Sequence, residues 1–173
     1  MVSQTQYVQF NGKAYWTKLY KPDEFKGAVR WTMNLYMDDP EEWNKYKALG
    51  IQKKVNKDEN GSFFAASRPT TKMIKGKIVY FTPPVIYGKD GKVLVGYYGE
   101  DDKMLRSYDD PKTKIVKKGE TILIGNGSDV QITLCVYPTA MGPGNRLESV
   151  KLIDLIEYKE PVETEEENET VKW

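Results

Sequence analysis

The chain has 173 residues, 39% of them hydrophobic and 29% charged, with a formal net charge of +1. That length and composition support one domain with a core of its own. With no histidine and a single cysteine, Cys135, a Ser-His or Cys-His hydrolase pair, an intrachain disulfide and a multi-cysteine zinc site are all excluded.

The near-zero charge is an average. Residues 159–173 hold six Glu and two Lys, which leaves residues 1–158 with 24 basic and 19 acidic side chains, a net of +5. The chain is therefore read as a folded, basic domain over 1–158 and a disordered acidic tail over 159–173. A basic body suits a polyanionic partner. No window reaches the roughly 20 apolar residues that a membrane helix needs, and the N-terminus lacks a basic stretch followed by an apolar run. A cytoplasmic protein with no membrane partner is expected.

In chain order, strands are expected first near 6–10 and 13–20. The second has no clean alternation, so it leaves open which of Tyr15 and Trp16 faces inward. It is dense in cations and rings: Lys13, Tyr15, Trp16, Lys18, Tyr20 and Lys21. Over 28–37 the alternation is strict. Val29, Trp31, Met33, Leu35 and Met37 form a core face, while Arg30, Asn34 and Tyr36 point outward, toward any ligand. Asp39-Pro40-Glu41-Glu42 then opens a helix with an N-cap, a proline at the first helical position and acids over the first turn. Trp43, Tyr46 and Leu49 follow at helical spacing as an apolar face, and Gly50 ends the helix.

Asn60-Gly61 marks a hairpin turn before a strand at 62–67. Lys72, Lys75 and Lys77 form a cationic loop that runs into a strand at 76–81 carrying Tyr80 and Phe81. Pro83-Pro84 blocks a helix. Asp90-Gly91 marks another hairpin turn before a strand at 92–98. The charged stretch 99–119 reads as a long, mobile loop. A strand at 121–124, a tight turn at Gly125-Asn126-Gly127-Ser128 and a strand at 129–137 follow. Val130, Ile132, Leu134 and Val136 form its buried face, with Cys135 on the other. A turn at Ala140–Asn145 leads to a last strand within 147–158. The glycine turn is not a phosphate loop, because the GxxxxGK spacing is missing and a strand rather than a helix comes next. The acidic pairs Asp38-Asp39, Glu41-Glu42, Asp101-Asp102 and Asp109-Asp110 sit beside turns and read as solvated. No metal site and no cofactor are assigned.

Many short strands, one short helix and long loops make an all-β protein, an OB-fold-like Greek-key barrel. A β-sandwich is the alternative that strand parity does not separate. Twelve Tyr, four Trp and five Phe, many beside Lys or Arg, fit a single-strand groove in which cations follow phosphates and rings stack on bases. The same rings also suit a β core, and both readings stand. Local mixing of cations and rings nominates Lys13, Tyr15, Trp16, Lys18, Tyr20, Lys21, Arg30, Lys72, Lys75, Lys77, Tyr80 and Phe81 as DNA contacts. The absence of histidine places enzymes last.

The run Leu123–Val130, the strand into Val136-Tyr137-Pro138, and Arg146–Leu155 resemble the end of the barrel in tailed-phage single-stranded DNA-binding proteins. Ala14-Tyr15-Trp16 through Lys21-Pro22-Asp23, the strand at 28–37 and the Asp-Pro helix start are similar in layout. An acidic C-terminus ending in an aromatic residue completes the resemblance, here Glu163, Glu165, Glu166, Glu167, Glu169 and Trp173. The middle, 53–118, departs most from the family. The resemblance implies an OB-fold core that coats and protects single-stranded DNA without strong sequence specificity, in phage replication and recombination in the host cytoplasm. It implies a tail that docks on polymerase, helicase or primase and lies in the DNA groove when DNA is absent. A homodimer is compatible with it. An RNA-binding OB protein and a non-enzymatic structural or adaptor domain of a virion are the alternatives.

Overall fold

Two of the longest strands arise where apolar and polar residues alternate with period 2, and they build the barrel wall. The computed structural model describes residues 4–51 and 54–157. The elements are β1 (Gln6–Phe25), β2 (Ala28–Tyr36), α1 (Pro40–Ala48), β3 (Asn56–Asp58), β4 (Gly61–Pro69), β5 (Thr71–Ile74), β6 (Lys77–Phe81), β7 (Val85–Tyr87), β8 (Val93–Tyr98), β9 (Ser107–Tyr108), β10 (Val116–Lys118), β11 (Ser128–Tyr137) and β12 (Gly144–Asp154). Among the described residues no helix is long and apolar enough to cross a membrane.

The main sheet runs β10-β8-β7-β12-β11-β1-β2-β4-β3, and a second, smaller one runs β5-β6-β9. The five longest strands of the main sheet supply the OB order: β1 pairs with β2 on one side and β11 on the other, β2 with β4, and β11 with β12. The β4 and β12 edges share no ladder in that sheet. There Arg68 of β4 bonds the Leu147 carbonyl and the Glu148 carboxylate of β12, both at 3.1 Å. The barrel is partly open and is bridged by a side chain.

Phe10, Leu35, Phe64, Ile132, Leu134 and Val150 fill the interior. Helix α1 starts where the sequence predicts, with the Asp39 carboxylate accepting from the Glu41 amide at 2.9 Å. It sends Tyr46 onto Phe64 as a stacked pair with centroids 4.2 Å apart, with Phe10 edge-on at 5.7 Å. The expected apolar face is therefore the surface that packs on the core.

Several expectations are corrected. The strands expected at 6–10 and 13–20 are one strand of 20 residues, kept continuous through register shifts between Tyr15 and Lys18 and between Lys18 and Asp23. Trp31 is buried as expected, but Val29 is 38% exposed because it lies at the turn end of the β1–β2 hairpin. Residues 121–124 form no strand; Ile124 makes only an isolated bridge to Glu157. The cationic loop is a hairpin, β5–β6. The stretch 99–119 holds β9 and β10, and Asp101 and Asp110 close turns onto the amides of Lys103 and Lys112. The last strand stops at Asp154. The acidic tail lies outside the described residues.

Candidate nucleic-acid interface

Cross-strand register decides which side chains share the outer face of β1, β2 and β4. Lys13 lies opposite Tyr36 and Tyr15 opposite Asn34. Tyr36 in turn lies opposite Phe63, Asn34 opposite Ala65, and Arg30 opposite Pro69. These residues alternate with Ala14, Leu35 and Phe64, which are buried in the core. Tyr15, Tyr36 and Phe63 thereby form a row of three rings across three strands, with centroids 4.5 Å apart at each step. The Tyr36–Phe63 step is stacked and the Tyr15–Tyr36 step is tilted by 58°. The middle ring is covered by its neighbours, and the outer two are half-buried.

Polar partners hold the row in place. The Tyr36 hydroxyl donates to Asp58 of β3. Burial, and then that hydrogen bond, push the hydroxyl up to about 12. Lys13 meets Asp129 of β11 at 3.1 Å, and this contact raises the lysine further above its ordinary value. Arg30 Nη1 lies 3.5 Å from the Ser67 hydroxyl on β4.

Trp16 stands at the bulge that breaks the alternation of β1. Its φ is +54°, a conformation uncommon for a bulky residue. Its amide donates to Asn126 Oδ1 at 2.9 Å, and the next residue, Thr17, donates from its hydroxyl to the Ile124 carbonyl at 3.1 Å. The glycine turn at 125–127 thus holds the bulge open, and the indole is 64% exposed. Sequence left the choice between Tyr15 and Trp16 open. In the fold neither enters the core: Tyr15 joins the outer row, Trp16 leaves the sheet at the bulge, and Ala14 turns inward.

Beyond the bulge, Lys18 pairs with Asp23 at 3.3 Å. Lys21 is exposed, and it lines a cleft of about 350 Å³ together with Thr17, Leu19, Tyr20 and Ile124. Tyr20 is half-buried, and its carbonyl accepts from the Trp31 indole at 3.3 Å.

The β5–β6 hairpin carries the second group of nominated residues. Lys75 and Gly76 both have positive φ, +50° and +79°, as a two-residue type I′ turn requires. Lys75 and Lys77 are exposed near this tip. Lys72 places its ammonium 3.8 Å from the centroid of the Tyr137 ring. Tyr80 stacks on Tyr108 of β9 with centroids 5.3 Å apart. Phe81 is only 6% exposed and lies under the guanidiniums of Arg68 and Arg146, at 4.8 and 5.2 Å. It is a core ring, because both cations pack on it and the barrel junction closes around it.

Nine of the twelve nominated residues therefore fall into two neighbourhoods, while Tyr20 and Lys21 line the cleft beyond the bulge and Phe81 is in the core. Lys13, Tyr15 and Arg30 share the outer sheet face with Trp16 and Lys18 beyond its bulge, while Lys72, Lys75, Lys77 and Tyr80 sit on the hairpin. Thr70 joins them: its amide donates to the Val29 carbonyl at 3.2 Å, and its own carbonyl accepts from the Phe81 amide at 2.9 Å. Sequence reasoning passed over Phe63, and it placed Tyr36 outward without nominating it. The alternation of Phe63, Ala65 and Ser67 with Phe64, Ala66 and Arg68 carried the signal; the pairing with Tyr36 depends on register. Among the described residues no cluster of three or more His, Cys, Asp or Glu could hold a metal ion.

The strand order, the side-chain-bridged junction and, among the described residues, the single helix define an all-β OB-type barrel. No protein-family model and no curated protein matches the chain. Among solved structures, gp2.5, a single-stranded DNA-binding protein encoded by bacteriophage T7, is similar with a TM-score of 0.55 at 15% identity, over 94% of each chain. The single-stranded DNA-binding protein from bacteriophage Enc34 aligns with a TM-score of 0.47 at 13% identity as its C-terminal truncation, over 93% of this chain and 94% of that one. Another Enc34 structure aligns at 0.44 and 12%, over 90% of this chain and 86% of that one. The likeness to gp2.5 is one of fold. This fold is the one that the resemblance to tailed-phage single-stranded DNA-binding proteins implied.

Proposed function

We propose that the protein binds single-stranded DNA without strong sequence specificity, coating and protecting it during phage replication and recombination. The observation that carries this reading is the ring row Tyr15–Tyr36–Phe63 on the outer face of an OB-type barrel. In this reading bases stack on the outer rings Tyr15 and Phe63 and on the exposed indole of Trp16, since any π-face accepts any base. Phosphates run past Lys13, Lys18, Lys21 and Arg30 toward the hairpin lysines Lys72, Lys75 and Lys77. The fold that the chain shares with gp2.5 supports the same reading.

The acidic tail, 159–173, belongs to the proposal. Its glutamates compete with DNA for the basic surface, and Trp173 anchors the segment there or on a replisome protein such as polymerase, helicase or primase. A chain ending at Tyr158 then binds oligo-dT more tightly at low salt than the full chain does. Unchanged affinity assigns the tail a merely solvating role.

An electrophoretic shift with oligo-dT tests the function, and competition with oligo-U tests the ligand. Displacement by DNA but not by RNA at equal length supports the proposal. Stronger displacement by oligo-U makes the protein an RNA binder, because the 2′-hydroxyl is then being read.

A further inference from the structure

We propose that the cleft between the start of β2, the root of the β5–β6 hairpin and β10 takes one unstacked nucleobase out of a bound single strand. This rests on the single-strand reading above and adds a second binding place to it. The cleft measures about 420 Å³ and is lined by Trp31, Tyr80, Tyr97, Tyr108, Ile115 and Lys117, among others. That volume falls within the range of about 300–1,000 Å³ found for small-ligand sites.

Its construction suits a flat aromatic guest. Trp31 and Tyr97 are buried and make the deep part. Tyr80 and Tyr108 are half-buried, stacked on each other with an interplanar angle of 16°, and present a wall of two nearly parallel rings. Register places Thr71 opposite Tyr80 and Tyr80 opposite Tyr108, so these three share one face of the small sheet. Flat π-systems prefer such offset stacking. The rim is polar. Thr70 and Thr71 contribute to it, and Lys117, exposed and hydrogen-bonded to Thr121, sets a cation where the phosphate of an inserted nucleotide would lie.

The lining favours a nucleobase over an apolar peptide side chain, because threonines and a lysine flank the aromatic wall. The cleft lies beside the root of the hairpin, on the side of β2 that carries Trp31. Strand parity turns Trp31 inward while Arg30 faces out, and the Thr70 bonds tie the cleft's rim to β2 at Val29 and to the hairpin at Phe81.

The test is photo-crosslinking of the full chain to oligo-dT carrying one 5-iododeoxyuridine at successive positions, with the adducts mapped by mass spectrometry. The expected result is adducts at Trp31, Tyr80, Tyr97 or Tyr108 in addition to any on the outer face. Tyr108→Ala should reduce those adducts about fivefold or more, the lower end of what one stacked base contributes, while Tyr108→Phe retains them. Normal DNA binding with adducts confined to Trp16 and the Tyr15–Tyr36–Phe63 row overturns the cleft and leaves the function standing. Absence of both adducts and a mobility shift overturns the function itself, and the cleft with it.

Discussion

Arg68 and Glu148 meet at 3.1 Å across the junction where the barrel lacks a ladder. The arginine is 1% exposed, and its guanidinium also donates to the carbonyls of Thr82 at 2.7 Å, Leu147 at 3.1 Å and Arg106 at 2.6 Å. Burial pulls the guanidinium below its ordinary value, and the Glu148 carboxylate works against that pull. Arg146 and Arg106 also flank the carboxylate, at 3.0 and 3.9 Å. One planar fork thus replaces a missing row of backbone bonds. Removing one partner of a buried pair costs about 3–5 kcal/mol. Arg68→Ala is expected to lower the unfolding free energy obtained from urea titration by that amount, and Arg68→Lys to recover little of it, since an ammonium lacks the fork. A loss below about 1 kcal/mol, the scale of a surface pair, would contradict the bridging role.

The ring row should divide by position. Tyr15→Ala and Phe63→Ala each remove a stacking surface worth about 1–3 kcal/mol per base, so oligo-dT affinity should fall about 5- to 150-fold. Tyr36→Phe keeps the ring and loses only the bond to Asp58, so affinity should change less than threefold. Equal losses in all three variants would point to a structural role for the row.

Alkaline stability has a defined sign. The hydroxyls of Tyr36 and Tyr46 are both raised from 10.0 to about 12, Tyr36 by burial and then Asp58, Tyr46 by burial. Above pH 10 the unfolded chain loses these protons while the folded protein keeps them, so the unfolded state binds fewer protons and stability falls as pH rises. This contribution is full below pH 10 and is lost between pH 10 and 12. Urea midpoints across that window should decline, and Tyr36→Phe should flatten the decline. A flat profile in the unmodified chain would refute it.

Much of this was legible from period-2 alternation. The core faces of β2 and β11 and the capped start of α1 follow from local chemistry, and the structure agrees over most of their length. The parts that sequence missed depend on distant partners. Trp16 is thrown outward because Asn126 and Ile124 hold the bulge, over 100 positions away in the chain. Phe63 joins the row only because β4 pairs with β2 in one register. Arg68 falls just past the strand expected at 62–67, and nothing local shows that Glu148 and three carbonyls close around it. Phe81 reads as a ligand ring beside Tyr80, yet strand parity turns it under the two arginines.

The hairpin lysines should act through charge. Each phosphate neutralised on a single strand contributes about −0.7 to the slope of log affinity against log salt. Lys75→Ala with Lys77→Ala should therefore make the slope shallower by about 1.4 if each lysine meets one phosphate. An unchanged slope would place the strand elsewhere.

The central claim is tested most directly by titrating the full chain with oligo-dT and following intrinsic tryptophan fluorescence at low and high salt. Trp16 is 64% exposed beside the ring row and serves as the reporter. The account predicts saturable quenching at low salt, weakened by added salt, and reduced in Trp16→Phe. Unchanged fluorescence at low salt, with unchanged electrophoretic migration of the DNA, would contradict it.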